Sequence, residues 1–148
     1  MGLEIERKFL VNKKLWNEMK KPKGEVIKQG YLLKSLEKTI RVRTKNTKGF
    51  ITIKGATTGI TRKEFEYEIP KEEADELLNE FCNRYIQKTR YSIEYSGKIW
   101  EVDEFESPNK GLILAEIELT SADEHFEKPT WIAKEVSDDP KYFNANML

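Results

Sequence analysis

The stretch that decides the fold is the first one, residues 1–11, MGLEIERKFLV, in which charged and apolar side chains alternate. Alternation with a period of two is typical of a β-strand, because successive side chains point to opposite faces of the sheet. Glu4, Glu6 and Lys8 therefore share one face, and the apolar Leu3, Ile5 and Phe9 share the other. The same charged face recurs on most of the later strands, and this recurrence is the main indication of both fold and function.

Seven further stretches show the same alternation, so the chain is predicted to be mainly strand. The eight predicted strands are residues 3–11, 25–33, 38–44, 49–54, 62–69, 84–92, 97–104 and 111–119. Glycines at Lys48-Gly49 and Ser96-Gly97 indicate short hairpin connections, which join antiparallel neighbours. The strands are therefore expected to form a meander.

Three helices are predicted between and after the strands. Pro70 precedes acidic residues and an apolar stripe, as at the start of an amphipathic helix. A shorter helix is expected after Asn12, and Ser121 with Glu124 forms a capping-box pattern for a third. The tail after Pro129 is apolar enough that we expect it to pack on the body of the protein.

Helices on the outside of a sheet need an apolar face to cover, which leaves the charged faces pointing the other way. Eight strands suit a closed barrel with an interior. For any single strand, a solvated charged face is the simpler interpretation; for the whole set, the helices favour charges that line a lumen. The predicted fold class is α+β, mainly antiparallel β. It is a closed eight-stranded barrel or tunnel with a charged lumen and a few outer helices, in one domain over residues 1–148.

The composition limits the kinds of partner and site. The 26 basic and 26 acidic residues balance to zero, so no overall basic field is available to recruit nucleic acid or a membrane. The lone Cys82 and the lone His125 exclude an internal disulfide, a thiolate zinc cluster and a histidine-rich metal site. Any bound metal would need oxygen ligands. Without an apolar leader or membrane span, a soluble cytoplasmic protein is expected.

Six basic residues occupy the predicted lumen faces. Arginine can bind phosphoryl oxygens through two hydrogen bonds and lysine supplies a point charge, so such a set suits a small ligand with several phosphates. The predicted phosphate-binding residues are Lys8, Arg41, Arg43, Lys54, Lys88 and Arg90.

Seven acidic residues occupy the same faces. Carboxylates without sulfur or imidazole favour hard cations, so we expect one or two Mg²⁺ or Mn²⁺ ions. The predicted metal ligands are Glu4, Glu6, Glu64, Glu66, Asp103, Glu116 and Glu118. The predicted catalytic residues are Glu4, Glu6, Lys8 and Glu118. The sequence does not single out the glutamate that would orient an attacking water.

In this order along the chain, the motifs resemble those of the CYTH superfamily of triphosphate tunnel metalloenzymes. The matching segments are Glu4–Lys8, Arg41–Arg43, Lys54, Arg62–Glu66, Lys88–Arg90, Trp100–Phe105 and Ala115–Leu119. The resemblance covers essentially the whole chain. It also implies that the tail, residues 133–148, forms a helix that plugs one end of the tunnel.

The resemblance implies several reactions: hydrolysis of inorganic, nucleoside or thiamine triphosphate, and cyclisation of ATP by class IV adenylyl cyclases. The short chain and plug-like tail resemble the compact bacterial tripolyphosphatases, so we predict hydrolysis of inorganic triphosphate to diphosphate and phosphate, with nucleoside triphosphates as further substrates. A class IV-type adenylyl cyclase and a thiamine triphosphatase are the alternatives. A non-catalytic polyphosphate-binding module, which would need the bases but not the acids, is an alternative of another class. The oligomeric state, monomer or homodimer, stays open.

Overall fold

In a computed structural model that describes residues 2–148, eight antiparallel strands close into a barrel. The strands are β1 (Gly2–Val11), β2 (Glu25–Lys34), β3 (Lys38–Lys45), β4 (Lys48–Gly55), β5 (Thr61–Ile69), β6 (Tyr85–Tyr95), β7 (Lys98–Ser107) and β8 (Ile113–Glu118). They pair in the order β5-β4-β3-β2-β6-β7-β8-β1, and β1 pairs with β5 to complete the ring. All eight predicted strands are confirmed, and so is the closed barrel.

A ninth strand, β9 (Ile132–Glu135), pairs with the last residues of β1, beyond those that pair with β5. It lies in the apolar tail that was expected to pack on the body, but it was not predicted as a strand. Four residues are too few to show a clear period-two pattern, and its pairing with Phe9 and Val11 depends on a contact more than a hundred residues away.

The hairpin turns follow the backbone geometry that the sequence allows. Ser96 and Gly97 both have positive φ, 49° and 77°, as a two-residue turn between antiparallel strands requires. The turn between β3 and β4 lies at Asn46 and Thr47, two residues before the predicted position, where Asn46 has a φ of 57°.

Two of the three predicted helices are present. In α1 (Lys13–Glu18), the Asn12 side chain accepts a hydrogen bond from the backbone N–H of Leu15. In α2 (Lys71–Phe81), Pro70, predicted as the first helical residue, is the N-cap, so the helix begins one residue later than predicted.

The helix predicted from Ser121 is wrong, because residues 120–123 form only a turn. The Ser121 hydroxyl donates to the Asp123 carboxylate instead of capping a helical N–H. The Glu124 carboxylate accepts from the backbone N–H and the hydroxyl of Thr120. Both side chains of the capping box are thus engaged in closing the turn.

The plug-like helix predicted for the tail is also corrected. The segment forms two short 3₁₀ helices, Pro140–Tyr142 and Asn144–Met147, separated by the extended Phe143. It packs at one end of the barrel interior. A buried apolar cluster there contains Ile86, Phe105, Leu114, Val136 and Met147.

The apolar faces of the strands point outward, where other parts of the chain cover them. Phe9, Trp100 and Val102 form a buried cluster with Trp16 of α1 and Trp131. On the other side, α2 packs against β2, β3 and β4. With the apolar side chains used outside, the charged side chains of the same strands must point into the barrel. No helix among residues 2–148 is long and apolar enough to cross a membrane.

Candidate active site

The barrel interior holds a cavity of about 540 Å³ lined mainly by charged side chains. Of the residues predicted from the sequence, all but Asp103 line it. They are Glu4, Glu6, Lys8, Arg41, Arg43, Lys54, Glu64, Glu66, Lys88, Arg90, Glu116 and Glu118. The barrel thus brings together predicted side chains from six strands, β1, β3, β4, β5, β6 and β8.

Strand alternation places each pair of lumen residues. On β3, Arg41 and Arg43 point into the cavity while Val42 between them is fully buried in the cluster under α2. The strand is therefore covered on both faces, by the helix outside and by the charged lumen inside. Because Val42 packs outward against α2, the arginines on either side of it must point into the lumen.

Asp103 is buried and holds two lumen bases. Its carboxylate lies 2.7 Å from Nζ of Lys88 and accepts from Nε and Nη2 of Arg90 at 2.8 and 2.9 Å. Burial alone would raise the pKa of this carboxyl, but Arg90 and Lys88 hold it well below its usual range. The structure therefore places Asp103 behind the bases and outside the lining of the cavity.

The remaining ion pairs link acids and bases across the lumen. Nζ of Lys54 lies 3.0 Å from Glu4 and 3.4 Å from Glu64. Nζ of Lys8 lies 3.9 Å from Glu116, and although burial opposes it, Lys8 contributes to lowering the pKa of Glu116 to about 2. These pairs satisfy the buried charges, and they hold Lys8 and Lys54 against glutamates.

Three lumen carboxyls have raised pKa values. For Glu6 the causes are burial, followed by Glu116 and Glu4; for Glu64 they are burial and Glu4. The pKa of Glu118 is raised by burial, by Glu4 and by Glu101. Carboxylates that raise one another's pKa concentrate negative charge, and an oxygen-binding divalent cation would relieve it.

This donor set fits a hard metal ion in its chemistry, although no metal centre is preformed. Within the part of the chain that the structure describes, no three acidic, histidine or cysteine side chains are grouped closely enough to hold an ion as they stand. The glutamates are spread around the lumen and partly paired with lysines. A cation that entered would have to draw them away from those lysines.

Sequence reasoning missed several polar groups that reach the lumen. Glu101 lines the cavity, and its position two residues before Asp103 on β7 could have indicated this. Asn144 lies in the tail, and its Oδ1 accepts from Nζ of Lys88 at 3.0 Å. The backbone carbonyl of Tyr142 accepts from Nζ of Lys8 at 2.9 Å. No strand pattern could have indicated the two tail contacts.

The matches to known proteins agree with this geometry. A family model described as the CYTH domain matches residues 2–143. The chain belongs to the CYTH family. The CYTH protein described here is 46% identical over 149 residues to the inorganic triphosphatase of Acetivibrio thermocellus, covering all of this chain and 94% of that protein.

Two further comparisons extend the likeness. The inorganic triphosphatase of Nitrosomonas europaea is 34% identical over 149 residues, which cover 95% of this CYTH chain and 93% of that protein. The crystal structure of the inorganic triphosphatase NE1496 superposes with a TM-score of 0.67 at 30% identity, covering 97% of this chain and 96% of that one. The barrel fold, the family model and the two full-length relatives thus all place this chain in the CYTH family.

Proposed function

We propose that this CYTH protein is a metal-dependent triphosphatase that hydrolyses inorganic triphosphate to diphosphate and phosphate. The observation that carries the proposal is the closed barrel, in which eight bases and seven acids face one cavity. The full-length relatives named inorganic triphosphatase support the choice of substrate. Such a lumen is suited to a small, highly charged anion.

The bases would bind the phosphate chain. Arg41, Arg43 and Arg90 present planar guanidinium groups that can bind phosphoryl oxygens through two hydrogen bonds each. Lys8, Lys54 and Lys88 add point charges at other positions around the cavity. On binding, phosphate oxygens would replace the lumen glutamates that now pair with Lys8, Arg41 and Lys54. In the reaction, the same groups would stabilise the charge that develops on the departing diphosphate.

The acids that line the cavity would hold Mg²⁺ or Mn²⁺. The ligands that we propose are Glu4, Glu6, Glu64, Glu66, Glu116 and Glu118. The cation would offset the charge of the triphosphate oxygens and so favour attack by water. Asp103 was also predicted as a metal ligand. We assign it instead the role of holding Lys88 and Arg90 in place.

The proton of the attacking water needs an acceptor in the lumen. Glu6 and Glu118 lie opposite each other in the pairing of β1 with β8 and line the cavity, and we assign the acceptor role to this pair. Lys8, which faces the same cavity, would contact the phosphoryl group.

A substrate panel tests the proposal. The protein is incubated with tripolyphosphate, ATP or thiamine triphosphate in Mg²⁺ or Mn²⁺, and released phosphate is measured together with cyclic AMP. We expect phosphate release to be fastest from tripolyphosphate and to stop when the metal is chelated. No release from tripolyphosphate would refute the proposal, and cyclic AMP formed from ATP would favour the cyclase alternative.

A further inference from the structure

Gln29 is a fully buried amide in the wall of the proposed substrate lumen. It lies on β2 directly opposite Arg43 of β3 in the strand pairing. Its Oε1 accepts hydrogen bonds from both Nε and Nη2 of Arg43, at 3.0 and 2.8 Å. One neutral oxygen thus binds two donors of the guanidinium group and limits the directions in which it can point.

The Gln29 amide is itself held in one orientation. Its Nε2 donates to the hydroxyl of Tyr31 at 3.4 Å and to Oδ1 of Asn144 at 3.5 Å. Exchanging the oxygen and nitrogen would put an NH₂ group against the Arg43 donors, which accept no hydrogen bond. The carbonyl oxygen must therefore face Arg43.

Arg43 differs from the other five proposed phosphate-binding bases. Those five each have a carboxylate oxygen within 4.0 Å. Among residues 2–148, no carboxylate lies within that distance of Arg43. Burial, followed by the charges of Arg41 and Arg90, lowers the pKa of Arg43 to about 9. The positive charge of Arg43 is thus oriented by a hydrogen bond but is not neutralised.

We infer that Gln29 is a positioning residue that directs the Arg43 guanidinium into the lumen while leaving its charge free for a phosphoryl group of the substrate. The inference rests on the proposed function, since it assigns Arg43 to phosphate binding. A glutamate at this position would make the same two hydrogen bonds, but it would neutralise Arg43 and repel the triphosphate. An apolar side chain of the same length would leave the charge but remove the acceptor that orients it.

Two near-isosteric variants separate these effects. In Gln29→Glu, the dissociation constant of tripolyphosphate, measured by titration calorimetry without metal, and the KM for its hydrolysis should rise about tenfold or more, the effect of one hydrogen bond to a charged group. In Gln29→Met, we also expect an increase in both. The control is Gln87→Glu, the same change on the outer face of the neighbouring β6, outside the cavity lining. It should leave both constants as they are in the wild type.

A double variant tests whether Gln29 acts through Arg43. Gln29→Met should weaken binding of tripolyphosphate in the wild-type chain and cause no further loss in an Arg43→Ala background. Equal losses in both backgrounds, or wild-type affinity in Gln29→Glu, would overturn the inference. A wild-type protein that binds tripolyphosphate without hydrolysing it would instead refute the proposed function, and the calorimetric comparison would still decide the role of Gln29.

Discussion

At the scale of single residues, the lumen is organised by the pairing of acidic with basic side chains. Asp103 illustrates this, because it is only 2% exposed yet binds two bases at hydrogen-bonding distance. Lys88 is 1% exposed, so its ammonium group, like the Asp103 carboxylate, has lost its contact with water. Such a cluster is stable only while acids and bases remain matched.

Replacing Asp103 by asparagine should lower the free energy of unfolding by about 3 kcal/mol, because Lys88 and Arg90 would lose a buried counter-charge. Urea unfolding of the wild type and the variant at neutral pH measures this difference in the free energy of unfolding. Asp75→Asn on α2, which breaks the exposed pair with Lys71, is the control and should cost less than about 0.5 kcal/mol.

The stabilisation by Asp103 should also depend on pH. Because the folded-state pKa of Asp103 is depressed, this stabilisation is present above the unfolded pKa of about 4 and is lost as pH falls below it. The difference between wild type and Asp103→Asn should therefore shrink in acid, and a constant difference would contradict this account.

Lys88 provides a second prediction, on proton linkage. Burial lowers the pKa of its ammonium to about 7, with Asp103 opposing the shift, so at pH 8 a large share of the free protein has Lys88 neutral. A bound polyanion favours the charged form and raises this pKa, so binding should take up protons. Calorimetry of tripolyphosphate binding at pH 8, in buffers of different ionisation enthalpy, measures the uptake.

The Lys88→Arg variant is the matched control, because arginine stays charged at pH 8. Protons released by the ligand itself are common to both proteins and cancel in the comparison. The wild type should take up more protons per bound tripolyphosphate than Lys88→Arg does. Equal uptake by the two proteins would show that Lys88 is already charged in the free lumen.

At the scale of elements, the contact between α2 and the barrel depends on the absence of a side chain at Gly49. A Cβ placed there would lie 2.6 Å from Cβ of Ala74 and 3.2 Å from the backbone oxygens of Ile69 and Pro70. Gly49→Ala should therefore displace α2 and destabilise the fold by about 1–3 kcal/mol. Thermal or urea unfolding checks this.

Gly55→Ala, on the same strand, is the control for the intrinsic effect of alanine in β4. Its Cβ would meet nothing closer than 3.8 Å, from the Lys63 side chain. We expect this variant to be as stable as the wild type or slightly more stable. If both variants were equally stable, α2 would not be seated on Gly49 as the structure shows.

The elements also show how far the sequence could lead. Alternation predicted all eight strands, and the outward apolar faces indicated which side the helices cover. It could not show that the capping box at Ser121 would close only a turn, because that depends on which local hydrogen bonds the side chains of Glu124 and Ser121 make. Nor could it show that the tail would form 3₁₀ helices, whose shape is set by packing inside one end of the barrel.

For the site, alternation revealed which residues face inward but not how deep each one lies or what it pairs with. Asp103 shares the parity of the lumen residues, yet its two ion pairs keep it out of the cavity lining. Gln29 carries no charge, so a search for charged faces passed over it. Both are understood only when the pairing of β2 with β3 and of β6 with β7 is known.

At the scale of the whole molecule, the fold reverses the usual arrangement of a barrel. Helices and the chain between β8 and β9 cover the outer apolar faces, and the interior is left to charged side chains and a cavity. One end of the interior is filled by apolar residues and the C-terminal segment. The central claim is that the acids of this lumen hold a metal for catalysis while its bases hold the phosphates.

The measurement that tests this claim most directly is phosphate release from tripolyphosphate across a titration of Mg²⁺ or Mn²⁺, for the wild type and for a Glu116→Gln/Glu118→Gln variant. The control removes two carboxylates from the outside, as Glu72→Gln/Glu73→Gln in the first turn of α2. We predict that the lumen variant loses about a hundredfold or more in turnover, because metal ligation and proton acceptance fail together, while it binds tripolyphosphate as well as or better than the wild type. The control should retain wild-type activity. Undiminished turnover in the lumen variant, with an unchanged dependence on metal, would contradict the account.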